Sequence, residues 1–131
     1  MPSFGKTSKD RLATVDHRLR LVCEKVIKHY DFSILCGHRT EQEQNKAFAE
    51  AKSKLHWPQS KHNQLPSLAV DIAPYPIDWN DLKRFFYLAG LIKATALSMG
   101  FNLRWGGDWD GDGDFKDQSF NDYPHFEMIE G

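Results

Sequence analysis

The chain has 131 residues, with 17 lysines and arginines against 18 aspartates and glutamates, which gives a formal net charge of −1. This length fits one domain that can bury a hydrophobic core without a disulfide or a structural metal. The balanced charge argues against nucleic acid or an anionic membrane surface as a partner.

The N-terminal residues show no targeting signal. Residues 1–8 are polar and lack the apolar core of a signal peptide, and no apolar run in the sequence is long enough to cross a membrane. We therefore expect a single domain over residues 1–131, with residues 1–8 as a polar lead-in. We expect a soluble product of the cytoplasm, so that action elsewhere would need a separate means of release.

The apolar pattern of the first half predicts two helices and a strand. Over residues 9–30 apolar side chains recur at three- and four-residue steps, which predicts one helix. Residues 32–36 form a short apolar run that predicts a strand. Thr40 and Glu43 have the spacing of a capping box, which predicts a helix that begins there and ends near residue 52.

The second half alternates loops, strands and one long helix. Residues 53–67 predict a loop, and residues 68–73 predict a strand that ends at the prolines that follow. Residues 81–99 predict a helix that Gly100 ends. Residues 101–105 and 125–129 predict strands on either side of a glycine- and aspartate-rich loop. Because helices and strands mix without a regular βαβ order, we expect an α+β fold.

The two cysteines do not point to metal or redox chemistry. Cys23 falls in a predicted helix and Cys36 in a predicted strand, and they form no C-x-x-C pair. Buried free thiols are therefore the favoured interpretation.

The stretch from Ser60 to Asp71 and a second stretch near the C-terminus suggest a metal site. His62 lies in a predicted loop, and Asp71 is the one carboxylate within the predicted strand 68–73. Burying that carboxylate is costly unless a cation pairs with it. His125 comes from a different predicted strand, with Asp122 three residues before it. Catalytic zinc takes three such ligands and leaves one position for water.

Each of these residues also fits an ordinary structural role. A histidine in a loop is commonly just solvated, Asp71 could be a hydrogen-bonded structural carboxylate, and Asp122 could begin a turn. If the metal site exists, Asp122 is placed to take a proton from the metal-bound water and pass it to the leaving amine.

Several motifs together resemble a known family of zinc peptidases. That family includes D-alanyl-D-alanine carboxypeptidases and dipeptidases, and the sequence most resembles its L-alanyl-D-glutamate peptidases, which bacteriophages use as endolysins. The resemblance covers most of the chain, and the matching motifs are Gly37-x-Arg39-Thr40 with Gln44, Ser60-x-His62, Ala69-x-Asp71, Trp105-Gly106-Gly107-Asp108 and Asp122-x-x-His125.

The resemblance implies a fold and a division of roles. It implies a small α+β domain of the zinc DD-peptidase type, in which helices pack around an antiparallel sheet. By the same resemblance His62, Asp71 and His125 would hold zinc, and Asp122 would be the acid and base. One feature departs from the family pattern, which places the first histidine and the aspartate seven positions apart. Here they are nine apart, and Pro66-Ser67 replaces a glycine.

Four further residues are candidates for supporting roles. The resemblance implies that Arg39 stabilises the oxyanion or binds a substrate carboxylate, for which a fixed cationic donor is suited. The alternative is a surface arginine at a helix entrance. Ser60 and Gln44 are candidates to contact substrate or to orient a metal ligand. Trp105 fits a substrate contact and the core equally, and the two glycines after it would allow close approach of a peptide.

An acidic stretch offers a candidate calcium site. Asp108, Asp110, Asp112 and Asp114 alternate with other residues, and the glycine at the sixth position resembles the start of an EF-hand loop. The twelfth position is Ser119 rather than glutamate, so a solvated acidic turn is the alternative. Bound calcium would order the loop beside Asp122.

These observations together predict a zinc peptidase that acts on peptidoglycan stem peptides as a monomer, cutting the L-alanyl-D-glutamate bond. The resemblance implies host lysis by a phage endolysin that leaves the cytoplasm through a holin-type pore. A D-alanyl-D-alanine carboxypeptidase with the same zinc site is the nearest alternative. A non-haem iron oxygenase also uses two histidines and a carboxylate, but it would leave Asp122 without a role. An inactive calcium- or wall-binding module is a third alternative, and the presence of Asp122 argues against it.

Overall fold

The structure is a computed structural model that describes residues 2–114 and 121–129. Over these residues it contains four α-helices, four β-strands and a short 3-10 turn at Lys61–Asn63. In chain order the helices and strands are α1 (Lys6–Leu12), α2 (His17–Val26), β1 (Phe32–Cys36), α3 (Glu41–Ala49), β2 (Ala69–Pro74), α4 (Leu82–Ser98), β3 (Leu103–Gly106) and β4 (Asp122–Met128).

The four strands form one antiparallel sheet in the order β1-β2-β4-β3. Its register places Cys36 on β1 opposite Asp71 on β2, and Asp71 opposite His125 on β4. Directly opposed residues on neighbouring antiparallel strands have Cβ atoms roughly 5 Å apart. This row across three strands therefore brings together residues that are far apart in the sequence.

The hydrophobic core lies between the sheet and the helices. α2 packs against α4, α4 contacts β2, β3 and β4, and α1 contacts β1. The expected α+β architecture, an antiparallel sheet with helices packed around it, is confirmed. Within the described ranges no helix has both the length and the apolar character that crossing a membrane requires. The most deeply buried apolar side chains include Leu19, Val22, Phe32, Ile34, Ile72, Leu88, Ile92, Phe126 and Met128.

The single helix predicted for residues 9–30 is wrong, because the chain breaks between α1 and α2. Val15 forms a bridge with Ser67 at this break. Asp16 then caps α2 by accepting a hydrogen bond of 2.9 Å from the Arg18 backbone N–H. The apolar spacing continues across the break because Leu12, Val15 and Leu19 are all buried in the same core. Spacing alone therefore could not reveal two helices.

The N-terminal residues are not simply a polar lead-in. α1 already begins at Lys6. The ring of Phe4 packs edge-on against Phe32, with 5.2 Å between centroids. This segment therefore belongs to the folded domain, contrary to the prediction for residues 1–8.

Other element boundaries agree more closely with the sequence. β1 has the predicted bounds, and the capping box of Thr40 and Glu43 is formed at the start of α3. α3 ends at Ala49, earlier than predicted. β4 begins at Asp122, three residues before the predicted strand, so Asp122 lies within the sheet and does not begin a turn. Of the predicted loop 106–121, residues 115–120 lie outside the described part of the chain.

The two additional residues between His62 and Asp71 are tied to the break between α1 and α2. Ser67 is completely buried, and its backbone N–H donates to the Thr14 carbonyl at 2.8 Å. Its own carbonyl accepts from the Asp16 N–H at 2.8 Å. The insertion is thus anchored on the core just before β2 begins, and the path from His62 to Asp71 is fixed at its midpoint.

Candidate metal centre

One oxygen of Asp71 lies between two imidazole rings. Asp71 Oδ1 is 3.2 Å from His62 Nε2 and 3.1 Å from His125 Nδ1. The pairing of β2 with β4 supplies the second contact, and the 3-10 turn carries His62 to the first. The three residues predicted to hold a metal therefore lie side by side, with Asp71 Oδ1 between one nitrogen of each imidazole. His62 and His125 belong to two different groups of potential donors, which share Asp71.

The ring of His62 is held from its backbone and from its far nitrogen. Ser60 caps the 3-10 turn, and its hydroxyl accepts from the His62 N–H at 3.2 Å. In the same turn the Ser60 N–H donates to Asn63 Oδ1 at 3.0 Å. His62 Nδ1 donates to the Gly37 carbonyl at 2.7 Å. With Nδ1 as the donor, Nε2 is the nitrogen whose lone pair can bind a cation.

The ring of His125 is held in the same way by a carboxylate. His125 Nε2 lies 2.8 Å from Glu127 Oε1, so its Nδ1 faces Asp71. Glu127 is buried and also pairs with Lys61, whose Nζ is 3.4 Å from Glu127 Oε2. Glu127 was not among the residues predicted from the sequence. Strand alternation could have found it, since residues two apart in a strand share a face.

Two overlapping groups of potential metal donors share Asp71. Cys36, His62 and Asp71 form one group, and Asp71, Asp122 and His125 form the other, with the donor atoms of each group within 4.8 Å of one another. Cys36 is only partly buried, and its Sγ lies 3.9 Å from His62 Nδ1, the nitrogen already bonded to Gly37. Cys23 is free and buried as predicted, and burial raises the pKa of its thiol to about 12.

Without a metal, the two histidines and Asp71 shift one another's pKa values toward the charged forms. Burial alone would lower the pKa of His62, but the neighbouring Asp71 carboxylate outweighs it and raises that pKa to about 10. Burial likewise opposes a charged His125, and its bonds to Asp71 and Glu127 raise its pKa to about 9. Burial would raise the pKa of Asp71, and the two histidines instead hold it well below its usual range. Raised pKa values of the two imidazoles thus favour their charged forms beside Asp71, and a divalent cation bound by these side chains would replace those protons.

The carboxyl group of Asp122 lies beside these donors, and its pKa is raised. Burial, followed by repulsion from the Asp71 carboxylate, raises the pKa of Asp122 to about 6. An acid and base works best when its pKa lies near the working pH. Asp122 is therefore suited to exchange protons next to the metal donors.

Arg39 and Gln44 form a linked pair at the edge of the cluster. Arg39 Nη2 lies 3.5 Å from Asp71 Oδ2, and its Nη1 donates to Gln44 Oε1 at 2.9 Å. Gln44 is 0% exposed, and its Nε2 donates to Ser53 Oγ and to the Leu55 carbonyl. Burial argues against the predicted substrate contact of Gln44, and its bond to Arg39 favours an indirect role in holding that arginine.

Trp105 and the glycines after it serve the packing of the chain itself. Trp105 is buried, and its Nε1 donates to the Tyr123 carbonyl at 2.8 Å. A Cβ at Gly106 would clash with the Asp122 carbonyl, and one at Gly107 would clash with the Trp105 ring. The two glycines were predicted to let a bound peptide approach closely. In the structure they instead let β3 approach Asp122 and let the Trp105 indole lie against the backbone that follows it.

Three of the four aspartates predicted to bind calcium lie close together. Ligand oxygens of Asp108, Asp110 and Asp112 lie within 4.8 Å of one another. Asp108 is only 6% exposed, and its Oδ2 accepts from the Gly113 N–H at 2.9 Å. Its Oδ1 is buried and has no hydrogen-bond partner in the described part of the chain. Asp114 contributes its backbone N–H, which donates to Asp112 Oδ1 at 2.8 Å.

Two clefts meet at the metal donors. The larger has a volume of about 690 Å³ and reaches Asp71 and Asp122, and the smaller, of about 290 Å³, reaches His62 and His125. Arg39 and Asp122 line both clefts. An extended substrate could therefore pass across the cluster with one half in each cleft.

Known proteins share this fold and much of this sequence. The structure of the Serratia marcescens L-Ala D-Glu endopeptidase ChiX superposes with a TM-score of 0.76 at 24% identity, covering 96% of this chain and 89% of that one. A zinc-bound mutant of the vancomycin resistance D,D-pentapeptidase VanY gives a TM-score of 0.54 at 18% identity, with 88% and 73% covered. These likenesses confirm the expected fold of the zinc DD-peptidase type.

The sequence comparisons are more specific. The L-alanyl-D-glutamate peptidase of Escherichia phage T5 is 37% identical over 120 residues, which are 88% of this chain and 87% of that protein. The family model described as phage L-alanyl-D-glutamate peptidase matches residues 2–129. With nearly every residue matched and the predicted donors side by side, the chain belongs to the phage L-alanyl-D-glutamate peptidase family.

Proposed function

We propose that this protein hydrolyses the L-alanyl-D-glutamate bond of peptidoglycan stem peptides at a zinc ion held by His62, Asp71 and His125. The observation that carries the proposal is the position of Asp71 Oδ1, within 3.2 Å of a nitrogen of each imidazole. Membership of the family and the 37% identity to the phage T5 enzyme support the choice of bond. The zinc-bound VanY relative and the two-histidine, one-carboxylate donor set support the choice of metal.

The residues around the donors divide the remaining chemistry. A bound zinc ion would polarise the scissile carbonyl and lower the pKa of a water molecule to roughly 7. Asp122 takes the proton of the attacking water and returns it to the leaving amine. Arg39 presents a fixed cationic donor to the developing negative charge, because Gln44 holds its other nitrogen. Glu127 and the Gly37 carbonyl keep the two imidazoles aimed at the metal.

The biological role that fits this activity is host lysis. The sequence match to a phage T5 peptidase supports an endolysin that accumulates in the host cytoplasm and reaches the cell wall through a holin-type pore. We expect a monomer to be the active form. In cells that express the protein, lysis should depend on a co-expressed holin or on permeabilising the inner membrane.

The test is a digest of purified sacculi with the wild-type protein and with Asp122→Ala, analysed by mass spectrometry. Wild type should release fragments with a new amino terminus on D-glutamate, and the variant should release none while retaining zinc. Release of free terminal D-alanine would instead support the D-alanyl-D-alanine carboxypeptidase alternative. Analysis of the metal bound to protein purified without added metal distinguishes a zinc peptidase from an iron oxygenase.

We further propose that Asp108, Asp110 and Asp112 bind calcium. The buried Oδ1 of Asp108, which has no hydrogen-bond partner among the described residues, supports this, because a buried carboxylate oxygen without a partner is costly. Calcium titration of the metal-stripped protein should show saturable binding that Asp110→Asn weakens. No binding at millimolar calcium would refute the proposal, and magnesium at the same concentration is the control for a nonspecific ionic effect.

A further inference from the structure

The two clefts that meet at Arg39 and Asp122 have different linings. We call the larger one the aromatic cleft, because its wall includes Leu35, Ala47, Trp79, Leu82, Phe85 and Pro124. We call the smaller one the basic cleft, because Lys52, Lys54, Lys61 and Arg104 line it. Any substrate that crosses the metal donors must place one end in each environment.

Trp79 is the most distinctive side chain of the aromatic cleft. It is 56% exposed, and its ring stacks on Phe85 with 5.5 Å between centroids and an angle of 21° between planes. Phe85 is itself buried on α4, so it fixes the indole from behind. One face of a large aromatic ring is thus held flat and open in the cleft that ends on Asp122. Such a face binds the apolar face of a ring-shaped ligand well.

The charged side chains that line the aromatic cleft do not give it a net positive charge. Lys46 and Lys52 line it together with Glu43 and Glu50, and Lys52 Nζ lies 3.2 Å from Glu50 Oε1. Asp71 and Asp122 add negative charge at its inner end. A carboxylate would therefore find little electrostatic attraction there.

The basic cleft has the opposite character. Among the described residues, Lys54, Lys61 and Arg104 line it in addition to Arg39, against the carboxylates of Asp122 and Glu127. Lys52 lies where the two clefts adjoin and is already paired with Glu50. Lys61 and Arg104 both approach Glu127 Oε2, at 3.4 and 3.8 Å, so one carboxylate is shared by two cations. The lining keeps an excess of positive charge and favours an anionic ligand.

The substrate proposed above has the same asymmetry. On the amino side of the scissile bond, L-alanine is joined to the lactyl group of N-acetylmuramic acid, an uncharged sugar ring once the amide is formed. On the other side, D-glutamate is linked through its side-chain carboxyl group and keeps a free α-carboxylate. The diamino acid that follows adds a further carboxylate in many cell walls.

We propose that these linings fix the direction in which the substrate binds. The N-acetylmuramyl-L-alanyl half lies in the aromatic cleft with its sugar against Trp79. The D-glutamyl half lies in the basic cleft with its α-carboxylate beside Lys54 and Arg104. The proposal rests on the proposed function, and it adds two specificity-determining surfaces that are separate from the metal ligands. The reverse direction would bring the carboxylates toward Glu43 and Glu50 and leave the basic cleft facing an uncharged sugar.

The test measures kcat/KM of the zinc-loaded full chain on matched synthetic substrates. The first pair is N-acetylmuramyl-L-Ala-γ-D-Glu-diaminopimelate and the same tripeptide without the sugar. The second pair is the muramyl tripeptide with a free α-carboxylate on D-glutamate and with that group as an amide. Trp79→Ala should lower kcat/KM about tenfold on the muramyl substrate and leave the sugar-free tripeptide unchanged, a loss of about 1.4 kcal/mol. Trp79→Phe should restore most of the loss.

The basic cleft is tested by the double variant Lys54→Gln with Arg104→Gln. It should lower kcat/KM about tenfold on the α-carboxylate substrate and leave the α-amide substrate unchanged. Tyr87→Ala and Lys28→Gln are matched controls, since Tyr87 is an exposed aromatic residue of α4 that packs edge-on against Tyr30, and Lys28 is an exposed lysine that follows α2. Neither control variant should alter the ratio of kcat/KM between the muramyl and sugar-free substrates, or the ratio between the α-carboxylate and α-amide substrates.

The outcomes separate the two proposals. The binding direction is overturned if Trp79→Ala affects both members of the sugar pair equally, or if it alters the carboxylate-to-amide ratio instead. It is also overturned if the double variant changes the kcat/KM ratio of the sugar pair and leaves the ratio of the α-carboxylate pair unchanged. If wild type cleaves all of these substrates, the proposed function stands whatever the variants do. If wild type cleaves none of them, the proposed function itself fails and the binding direction fails with it.

Discussion

Glu127 accepts a hydrogen bond of 2.8 Å from His125 Nε2, two residues away on the same face of β4. The other ring nitrogen of His125 is thereby turned toward Asp71. The Gly37 carbonyl does the same for His62 from the opposite side. The donor cluster is thus oriented by a layer of acceptors behind the imidazoles, and one of these acceptors is ionised.

Glu127→Gln should weaken zinc binding about 10- to 100-fold, as the loss of an ionised acceptor behind a metal-binding histidine does elsewhere. The amide is a weaker acceptor than the carboxylate, and Lys61 loses its ion pair with residue 127. Competition with a chromophoric chelator measures the affinity directly. Glu24→Gln, at an exposed position of α2, is the control. An unchanged zinc affinity in Glu127→Gln would mean that His125 needs no such support.

Asp122→Asn should lower kcat about 10²- to 10⁴-fold with one zinc ion still bound per chain, because the amide fills the same space and cannot accept the proton. Turnover on a stem peptide and zinc content by mass spectrometry are measured on the same preparation. Asp10→Asn, at an exposed position of α1, serves as the reference. Loss of zinc together with turnover would indicate that Asp122 is itself a metal ligand. Its place in one of the two groups of potential donors makes this a specific alternative.

Gln44→Met should lower both kcat/KM and the free energy of unfolding. Methionine has nearly the same volume, but it leaves Arg39 Nη1 and Asn63 Nδ2 without the acceptor they share. A buried donor that loses its partner costs about 1–3 kcal/mol. Urea melts and steady-state kinetics measure the two effects, with Gln42→Met on the exposed side of α3 as the control. A fall in stability with unchanged kcat/KM would mean that Arg39 does not depend on Gln44 for its catalytic position.

Two of the candidate metal donors stand out in the sequence because each one breaks the pattern around it. Asp71 is a charge inside an apolar strand, and His125 follows a proline in another short strand. The register that sets Asp71 opposite His125 is a property of the sheet, and no local pattern encodes it. The role of Gln44 was only partly visible, because its burial depends on the residues 53–55 loop folding over α3.

The break between α1 and α2 shows the limit of periodicity. The buried side chains on either side keep helical spacing, so the pattern reports a common core and not a continuous helix. The cause of the break is the contact of Val15 with Ser67, more than fifty residues further along the chain. Tertiary contacts of this kind override local preference.

The metal-free protein should lose stability as the pH rises from about 6.5 to about 10. His62 and His125 have pKa values raised to about 10 and about 9 in the folded state, against 6.5 for an ordinary histidine. Between these limits the folded protein holds protons that the unfolded chain has released, so raising the pH favours unfolding. Each proton contributes a slope of at most about 1.4 kcal/mol per pH unit. The stabilisation is complete below pH 6.5 and is absent above the folded pKa values.

Asp71 acts in the opposite direction at low pH, because its folded pKa lies below 3.8, the ordinary value of an aspartate. Its contribution is present above about pH 3.8 and is lost as the pH falls further. Asp122 has its pKa raised to about 6, so its contribution declines as the pH rises from about 3.8 to 6, and stability without metal should fall on both sides of about pH 4. A zinc ion replaces the two imidazolium protons, and its binding therefore strengthens as the pH rises. Urea melts from pH 5 to 9.5 with a chelator should show the alkaline decline, and melts in saturating zinc should abolish it. A metal-free protein that gains stability over this range would show that His62 and His125 are neutral in the folded state, and the charge balance assigned to the cluster would then be wrong.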